Sequence, residues 1–494
     1  MKTKFKEIDI NEIKNGIIDK KFTVKELVEY YLDRINKFDR EGPKINSIIN
    51  INNKALDEAE RLDKVAQSTG HLAGPLHGIP IVIKDQVETR DIPTTFGSIA
   101  FKNYQPTEDA TIIKKLKNAG AIILAKTNLP DFATAWSGVS SVLGMTKNPY
   151  KYDRDSGGSS AGTAVAVASN FTTVGVGEDT GGSIRVPSSF NNVYGLRVTA
   201  GLISRNRTSP LVGFQDTTGP IARNVSDLSI LLDSMIGFDS TDEYSAINIQ
   251  YSDKEKFSNN LSRSSLEGKR IGIVREAFGS DSDPDSEPVN KVIEKALKAL
   301  EKAGATLIDS VEIKNLNELT EKSALYLLQS RYDINKFLST RKTEDGIYTV
   351  ERLVKEKKFS ELLDLFKGIA DGPAIPSEVP DYYEKLNSQS VFRRHVLYAM
   401  SEHDLDAVVF PDVKVIPPTW KEVKEGKWTV LTFPTNTLIG SQTILPAISM
   451  PAGFTNDGIP VGVELLGKQY SEKSLIDMAY AYETTAKTRK STDF

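Results

Sequence analysis

The sequence offers few residue types that could act as a nucleophile or a base. Its 494 residues include no cysteine and four histidines, at positions 71, 77, 395 and 403. The lack of cysteine excludes disulfides, thiolate nucleophiles and cysteine metal sites. No histidine pair has the four-residue spacing of a helical metal site, and the H-E-x-x-H motif is absent, so a zinc enzyme is not expected. Serine, threonine, aspartate, glutamate and lysine remain as candidate nucleophiles.

Lys84 is the candidate for a general base. A serine nucleophile needs a group that accepts its proton, and a neutral lysine can replace histidine in that role. Such a lysine must be desolvated, because burial disfavours the ammonium form and lowers the pKa of the amine. Lys84 ends the apolar run Ile79–Ile83, which would carry it into the interior. The alternative is a strand-end lysine whose amine reaches solvent, and the local pattern alone favours that alternative.

Two glycine-rich segments hold the candidate serine nucleophiles. The first is Ser156–Gly162 and the second is Glu178–Arg185. In the second, Gly181 and Gly182 precede Ser183, and such a turn can direct several backbone N–H groups to one point beside the Ser183 hydroxyl. The sequence therefore offers a candidate oxyanion hole. A plain tight turn is the alternative, and it is favoured while the Gly-Gly-Ser is considered alone.

Two other matches to catalytic motifs are rejected. Gly158–Gly162 fits G-x-S-x-G, the nucleophile elbow of α/β-hydrolases, with Ser160 at its centre. That motif needs a strand directly before it, whereas Lys151–Asp155 is polar and charged. Ser339 and Lys342 fit S-x-x-K, but their charged neighbours indicate a solvated helix end.

The elements that must position these residues alternate between helix and strand. Short apolar runs at 79–83 and 121–125 predict buried strands. Segment 144–223 is rich in Gly, Ser, Thr and Pro, but large apolar residues interrupt it, which indicates tightly packed loops rather than a flexible linker. Residues 283–404 predict mostly amphipathic helix, and strand patterns return after residue 405. This order predicts an α/β protein with one large sheet and a helical insertion.

Composition and charge exclude several classes of protein. The net charge of −4 at pH 7 and the lack of a basic tract argue against direct binding to nucleic acid. Residues 1–16 lack the apolar core of a signal peptide, and a cytoplasmic location is expected. Ser156–Gly177 carries no charge over 22 residues, but most of its side chains are small. We interpret it as a buried segment of a soluble protein and expect no membrane span.

The motifs together resemble the amidase signature family. The resemblance covers about 76–238 and 406–482. Lys84 and Ser159 are 75 residues apart, and Ser159 and Ser183 are 24 apart, as in the family pattern. Several long motifs in one order at fixed spacing are a stronger signal than one glycine pair, so the resemblance favours a buried Lys84 and an active Ser183. The motif segments are Leu76–Asp85, Gly157–Ser160, Asp179–Arg185, Asp216–Pro220 and Pro451–Gly453.

The resemblance implies a catalytic Ser–Ser–Lys triad. Ser183 would be the nucleophile, and Lys84 would be the general base. Ser159, which follows a cis peptide bond in the family, would bridge Ser183 and Lys84. No metal and no organic cofactor would be needed, and the substrate would be a small-molecule amide.

The resemblance also implies an oxyanion hole, supporting residues and a fold. Backbone N–H groups that bind the substrate oxygen would come from Thr180, Gly181 and Gly182, with that of Ser183. Structural support would come from Ser160, Asp179 and Arg185. The fold would be α/β, with one large twisted mixed β-sheet covered on both faces by α-helices. The single amidase domain 1–494 would comprise a helical cap at 1–70, a signature core at 71–240, a helical insertion at 283–404 and a C-terminal return to the sheet at 405–494.

Three positions depart from the common family pattern and concern the shape of the loops around the site. Ala161 and Asn192 stand where glycine is usual, and Arg197–Thr199 replaces Lys-Pro-Thr. None removes a proton-transfer group. Candidate pocket residues are equally candidates for core packing: Trp136, Phe214, Gln215, Trp420 and Trp428.

A stand-alone amidase that converts a small carboxamide to an acid and ammonia or an amine is the leading hypothesis. The alternative is the glutaminase-type A subunit of a tRNA-dependent amidotransferase, which belongs to the same family. Against it, Phe132–Gly138 does not resemble the corresponding stretch of those subunits, and the C-terminal third is expected to lack clear similarity to them. A catalytically silent amide-binding protein is disfavoured because all three triad residues are present. The oligomeric state stays open, with a homodimer as one option.

Overall fold

The centre of the protein is an 11-stranded sheet. The computed structural model describes residues 3–251 and 255–494, so the first two residues of the predicted N-terminal cap lie outside it. In chain order the strands are β1 (Ile48–Ile51), β2 (Pro80–Lys84), β3 (Ile122–Thr127), β4 (Val139–Ser140), β5 (Gly144–Met145), β6 (Val174–Asp179), β7 (Tyr194–Arg197), β8 (Thr217–Ala222), β9 (Arg270–Ile273), β10 (Thr306–Ile308), β11 (Lys342–Thr343), β12 (Gly346–Ile347), β13 (Ala407–Pro411), β14 (Ala447–Phe454) and β15 (Pro460–Leu466). The order across the large sheet is β1-β3-β2-β6-β8-β7-β14-β15-β13-β9-β10. Parallel and antiparallel pairs both occur, so the predicted mixed sheet of an α/β fold is confirmed.

Helices flank the sheet. They are α1 (Ile10–Ile18), α2 (Val24–Arg34), α3 (Ala55–Thr69), α4 (Thr111–Asn118), α5 (Ala161–Ala168), α6 (Arg185–Phe190), α7 (Val225–Asp233), α8 (Glu287–Lys302), α9 (Leu316–Lys322), α10 (Tyr326–Leu338), α11 (Val350–Lys355), α12 (Asp364–Ala370), α13 (Tyr382–Glu402), α14 (Trp420–Lys424), α15 (Leu438–Thr443) and α16 (Glu472–Ala486). Helix α5 packs on β2, β6 and β8, and helices α8 and α16 pack on β14.

Strand β2 is the third strand from one edge of the sheet and lies between two parallel neighbours. All five of its residues are buried, as its apolar run predicts. It pairs with β3 on one side and with β6 on the other, where Ile81 is opposite Val174 and Ile83 is opposite Val176. Because parallel strands end at the same edge of a sheet, this register brings the end of β2, at Lys84, beside the end of β6.

The uncharged stretch Ser156–Gly177 folds into helix α5 and most of strand β6, and every residue in it is buried. Its small residues permit very close packing. A Cβ on Gly162 would lie 2.3 Å from the carbonyl oxygen of Ser47, and a Cβ on Gly175 would lie 2.5 Å from the Thr163 side chain. Close packing of helix on sheet therefore explains its composition. Across residues 3–251 and 255–494, none of the helices combines the length and the apolar character needed to cross a lipid bilayer.

The block 283–404, predicted to be mostly helical, also contains strands. Helix α8 connects β9 to β10, and these two strands pair in parallel at one edge of the large sheet. Strands β11 and β12 form a small antiparallel hairpin within the same block. Strands β10, β11 and β12 are two or three residues long and partly exposed, so they lack the apolar run that identifies a buried strand in a sequence.

Candidate active site

Lys84 is completely buried at the end of β2, with 0% of its side chain exposed. Its Nζ donates to the Ser159 hydroxyl at 2.7 Å and to the backbone carbonyl of Glu178 at 3.0 Å. It also forms an ion pair with Glu178 Oε2 at 2.9 Å. The alternative of a strand-end lysine with its amine in water is therefore wrong, because the parallel register with β6 places the amine inside the protein.

The environment of Lys84 opposes its charged form. Burial lowers the pKa of Lys84 from the ordinary value of 10.5, although the nearby Glu178 carboxylate acts in the opposite direction. Desolvation is the larger of the two effects. The site can thus hold a lysine that gives up its proton more readily than one in water.

Ser159 lies in a loop that leads into α5. The peptide bond between Gly158 and Ser159 is cis, as the family resemblance implies. Ser160 ties this loop to β6, because its hydroxyl donates to the carbonyl of Glu178 at 3.0 Å and accepts from the N–H of Glu178 at 3.1 Å. The backbone N–H of Ser160 donates to the carbonyl of Ser183 at 3.0 Å. Ser160 therefore connects the two glycine-rich segments beside the Lys84 amine, since the Ser160 hydroxyl and that amine both donate to the carbonyl of Glu178.

Ser183 follows β6 in the second glycine-rich segment and is 8% exposed at the base of a cavity. Asp179 orders this loop by accepting from the N–H of Gly182 at 2.9 Å and from the N–H of Ile184 at 3.0 Å. The N–H of Gly182 is thus engaged. Within the described part of the chain, the N–H groups of Thr180, Gly181 and Ser183 have no hydrogen-bond partner.

Gly182 must be glycine for two reasons. Its φ is +112°, and a Cβ at this position would lie 1.8 Å from the hydroxyl oxygen of Thr437. Thr437 in turn donates to the carbonyl of Gly181 at 3.0 Å. The segment that begins α15 therefore closes over the turn before Ser183.

A buried cluster of ion pairs holds the Ser183 loop in place. Arg185 contacts Asp179 at 3.1 Å and Glu464 of β15 at 2.5 Å, and Arg197 contacts Asp179 at 2.9 Å. Burial raises the pKa of Asp179, but the two guanidinium groups outweigh it and hold that pKa well below its usual range. Asp179 therefore stays ionised and holds the loop N–H groups. The sequence marks Arg197 only as a departure from the family pattern, and nothing in it indicates that Glu464 belongs to the site.

Glu178 and Asp216 are the other residues for which the sequence suggested no role. Glu178 contacts Lys84, and the Thr180 hydroxyl lies 2.9 Å from Glu178 Oε1 and 2.5 Å from Asp216 Oδ1. Asp216 lies in a motif segment and Glu178 begins the second glycine-rich segment, but their approach to Lys84 depends on the pairing of β2 with β6 and of β6 with β8. A single sequence does not show which strands pair.

The cavity above Ser183 has a volume of about 670 Å³, within the range of small-molecule sites. Its lining is mostly apolar and includes Ala133, Trp136, Val186, Leu211, Leu327 and Leu438. Of the predicted pocket residues, Trp136 lines this cavity and stacks on Phe433 with ring centroids 3.8 Å apart. Phe214 lines a different cavity, Gln215 donates to the carbonyl of Thr180 at 2.6 Å, and Trp420 and Trp428 pack among other side chains.

Asp155 fixes the start of the Ser159 loop, and we expect its replacement by asparagine to stabilise the protein. Its Oδ1 accepts from the N–H groups of Gly138 and Gly157, while Oδ2 has no partner within the described residues. Burial raises the pKa of Asp155 from 3.8 to about 7. The folded wild type keeps a proton that the unfolded chain releases, so stability is lost as the pH rises between these two values.

Asparagine keeps the accepting oxygen and does not ionise. Asp155→Asn should therefore raise the free energy of unfolding by on the order of 4 kcal/mol above pH 7, with a smaller gain at pH 5. Chemical denaturation of both proteins at pH 5 and pH 8 measures this difference. An equal gain at the two pH values would contradict a buried, titrating Asp155.

The chain is similar in sequence and in fold to known proteins along nearly its whole length. The chain matches the Amidase family model over residues 26–476. It is 32% identical to the A subunit of glutamyl-tRNA(Gln) amidotransferase from Alkaliphilus metalliredigens (strain QYMF), over 97% of this chain and 96% of that protein. The native peptide amidase of Stenotrophomonas maltophilia superposes with a TM-score of 0.86 at 31% identity, and the match covers 98% of both chains. The corresponding amidotransferase protein from Thermotoga maritima superposes with a TM-score of 0.77 at 25% identity, covering 98% of this chain and 96% of that one.

The matched region is wider than the motifs indicate. The motifs resemble the family over 76–238 and 406–482, whereas the family match also includes the helical block between them. The alignment with the amidotransferase protein of Alkaliphilus metalliredigens spans 97% of the chain. The expectation that the C-terminal third lacks similarity to those subunits is therefore wrong. That third supplies β13, β14 and β15, which lie inside the shared sheet and carry few of the polar motif residues.

Proposed function

Because the chain belongs to the amidase signature family and is an amidase-type enzyme that acts on amide C–N bonds, we propose that it hydrolyses a small carboxamide through an acyl-enzyme on Ser183. The products are a carboxylic acid and ammonia or an amine. The contact that carries the proposal is the 2.7 Å hydrogen bond between Lys84 Nζ and Ser159 Oγ. The next residue, Ser160, joins this loop to that of Ser183, because its N–H donates to the Ser183 carbonyl at 3.0 Å.

In the proposed reaction, Ser183 Oγ attacks the amide carbon while its proton passes to Ser159 and the Ser159 proton passes to neutral Lys84. The carbonyl π electrons move to oxygen, which gives a tetrahedral intermediate. When the C–N bond breaks, Lys84 returns the proton through Ser159 to the leaving nitrogen. Water then hydrolyses the acyl-enzyme by the same relay and regenerates the Ser183 hydroxyl.

The oxyanion is proposed to bind the N–H groups that the fold leaves without partners. These are the groups of Thr180, Gly181 and Ser183, since the N–H of Gly182 is held by Asp179. Removal of one such donor costs about 3 kcal/mol in comparable acyl transfer. The rigid Asp179–Arg185 ion pair fixes the direction of these donors before substrate binds.

Two substrate classes fit the site, and each has an observation in its favour. The apolar lining of the cavity favours a carboxamide with a large apolar acyl group, turned over by this chain alone. The full-length similarity to amidotransferase A subunits favours glutamine as the ammonia donor within a complex. Glu321 and Lys385 also line the cavity and could meet the ammonium and carboxylate groups of glutamine.

Ammonia release from a panel of amides distinguishes the two classes. We expect the purified chain to prefer apolar carboxamides and peptide amides to free glutamine by about 100-fold or more in kcat/KM, because most of the lining is apolar and the charged α-carbon groups of glutamine lose hydration there. Ammonia release is measured with a coupled enzyme assay.

A matched pair of variants sharpens this comparison. Glu321→Gln and Lys385→Met should leave the turnover of apolar amides within about twofold, since exposed charges contribute little to binding an uncharged group. If the two substitutions abolish glutamine hydrolysis, and if the chain copurifies with two partner subunits, the amidotransferase candidate replaces the first.

A further inference from the structure

Glu178 is a buried acidic residue in direct contact with the amine of Lys84. Its side chain is 1% exposed, and its carboxylate accepts from Lys84 Nζ at 2.9 Å while its backbone carbonyl accepts from the same nitrogen at 3.0 Å. One residue thus supplies two of the three hydrogen-bond partners of Lys84. The proposed reaction described above assigns it no part.

The two Glu178 contacts determine where the lone pair of a neutral Lys84 points. A neutral amine has two N–H donors and one lone pair, whereas an ammonium has three donors. If the two N–H groups of the neutral amine bind the carboxylate and carbonyl of Glu178, the lone pair is left facing the third partner. That partner is the Ser159 hydroxyl at 2.7 Å, which carries the proton to be moved.

The carboxylate of Glu178 is linked to a second acidic residue through one hydroxyl. Thr180 Oγ1 lies 2.9 Å from Glu178 Oε1 and 2.5 Å from Asp216 Oδ1. A hydroxyl has a single proton to donate, so it can hydrogen-bond to both carboxyl groups only if one of them is protonated and donates to it. The Glu178–Asp216 pair therefore holds one proton.

The proton of this pair belongs on Asp216. Burial, together with repulsion from Glu178, raises the pKa of Asp216 from 3.8 to about 8. Glu178 faces the amine of Lys84 and is the better placed of the two to carry the negative charge. The geometry thus places the Glu178 carboxylate beside the Lys84 amine.

We propose that Glu178 is a positioning residue of the amidase reaction, which aims the Lys84 lone pair at Ser159 and compensates the charge that Lys84 gains when it takes up a proton. This assignment rests on the proposed function. Glu178 acts through Lys84 and does not contact the substrate. Thr180 and Asp216 keep its carboxylate in the orientation that faces the amine.

The charge on Glu178 sets the pH at which Lys84 becomes a base. Asp179 of β6 also raises the pKa of Lys84 and stays in place when Glu178 is changed, whereas Asp216 adds to this effect only when it is ionised. Lys126 of the neighbouring β3 is paired with Asp85 at 2.8 Å. Removing the Glu178 charge therefore destabilises the ammonium form, lowers the pKa of Lys84 and lets the neutral amine persist to lower pH.

The test measures Ser183 reactivity without knowledge of the substrate. Phenylmethanesulfonyl fluoride is reacted with the full chain from pH 5 to pH 9. Ser183 Oγ bonds to sulfur, the S–F bond breaks, fluoride leaves and the serine proton passes toward Lys84. Intact-mass spectrometry and peptide mapping follow the adduct at Ser183.

Glu178→Gln should shift the acidic limb of this rate profile to lower pH by about 1 to 3 units, because it removes a charge within hydrogen-bond distance. The amide oxygen of glutamine still accepts an N–H, so most of the plateau rate should remain. Glu178→Leu removes the side-chain acceptor and should lower the plateau by about 100-fold through misorientation of the amine. The control Glu483→Gln makes the same change at a half-buried glutamate of α16, which accepts from the N–H of Val225, and should leave the profile unchanged.

The outcomes distinguish a failure of the Glu178 assignment from a failure of the proposed function. An acidic limb that is unchanged in Glu178→Gln overturns the positioning assignment alone, whatever happens to Glu178→Leu. A wild-type chain that forms no adduct at Ser183 overturns the proposed function and the assignment with it. A shifted limb in Glu178→Gln with the wild-type profile in Glu483→Gln supports the assignment.

Discussion

Replacement of Ser183 by alanine is expected to lower kcat/KM for amide hydrolysis by about 10⁴-fold or more, since no acyl-enzyme can form without the nucleophilic oxygen. Ser183 lines the cavity and is only 8% exposed, so the change removes one oxygen with little effect on packing. Ammonia release on the best amide of the panel measures the loss. Intact-mass spectrometry should also show that the variant traps no acyl adduct.

Ser188→Ala is the matched control for this prediction. Its hydroxyl is buried in α6, five residues after Ser183, and donates to the backbone carbonyl of Ile184 at 2.7 Å. We expect it to keep turnover close to wild type and to have a thermal midpoint similar to that of Ser183→Ala. Normal turnover by folded Ser183→Ala would assign the nucleophile to another residue.

The second large effect is expected at Lys84. Lys84→Met removes the base and should lower kcat/KM by about 10³-fold or more. It also leaves Glu178 buried without its cation, which costs about 3 to 5 kcal/mol of stability. The double variant Lys84→Met/Glu178→Gln removes both charges together, so it should fold better than the single variant and remain inactive.

The pH dependence of the wild type provides an independent check on Lys84. Because burial lowers the pKa of this amine, kcat/KM should fall as the pH drops below that lowered pKa and the ammonium form accumulates. Lys84→Arg keeps a cation beside Glu178 but cannot be deprotonated, so it should be inactive at every pH. A flat wild-type profile from pH 5 to pH 9, or activity in Lys84→Arg, would argue against a lysine base.

Sequence patterns predict β2, the strand that ends at Lys84, whereas β6 lies in a segment for which they predict no individual strand. The apolar run before Lys84 predicts a buried strand, and β2 is buried at all five positions. The strand patterns on both sides of the charged helical block predict one large sheet, and the 11-stranded sheet agrees with this prediction. Short edge strands such as β10 escape prediction because three partly exposed residues have no characteristic period.

The surroundings of Lys84 could not be predicted from the sequence for a different reason. Whether a strand-end lysine is buried or solvated depends on its neighbours, and here β6 supplies Glu178 as a partner 94 positions away. The same holds for Glu464, which reaches Arg185 across 279 positions. The family motifs identify the residues at the centre of the site, whereas these long-range partners follow only from strand pairing.

The ion pair between Arg185 and Glu464 also affects when the Ser183 loop can form during protein synthesis. Glu464 belongs to β15, the last strand of the sheet in chain order. Thr437, which closes over Gly182, directly precedes α15. A ribosome must therefore release the chain beyond Glu464 before the Ser183 loop can acquire these two supports. Until β15 has been synthesised, the growing polypeptide consequently lacks two of the contacts that order this loop.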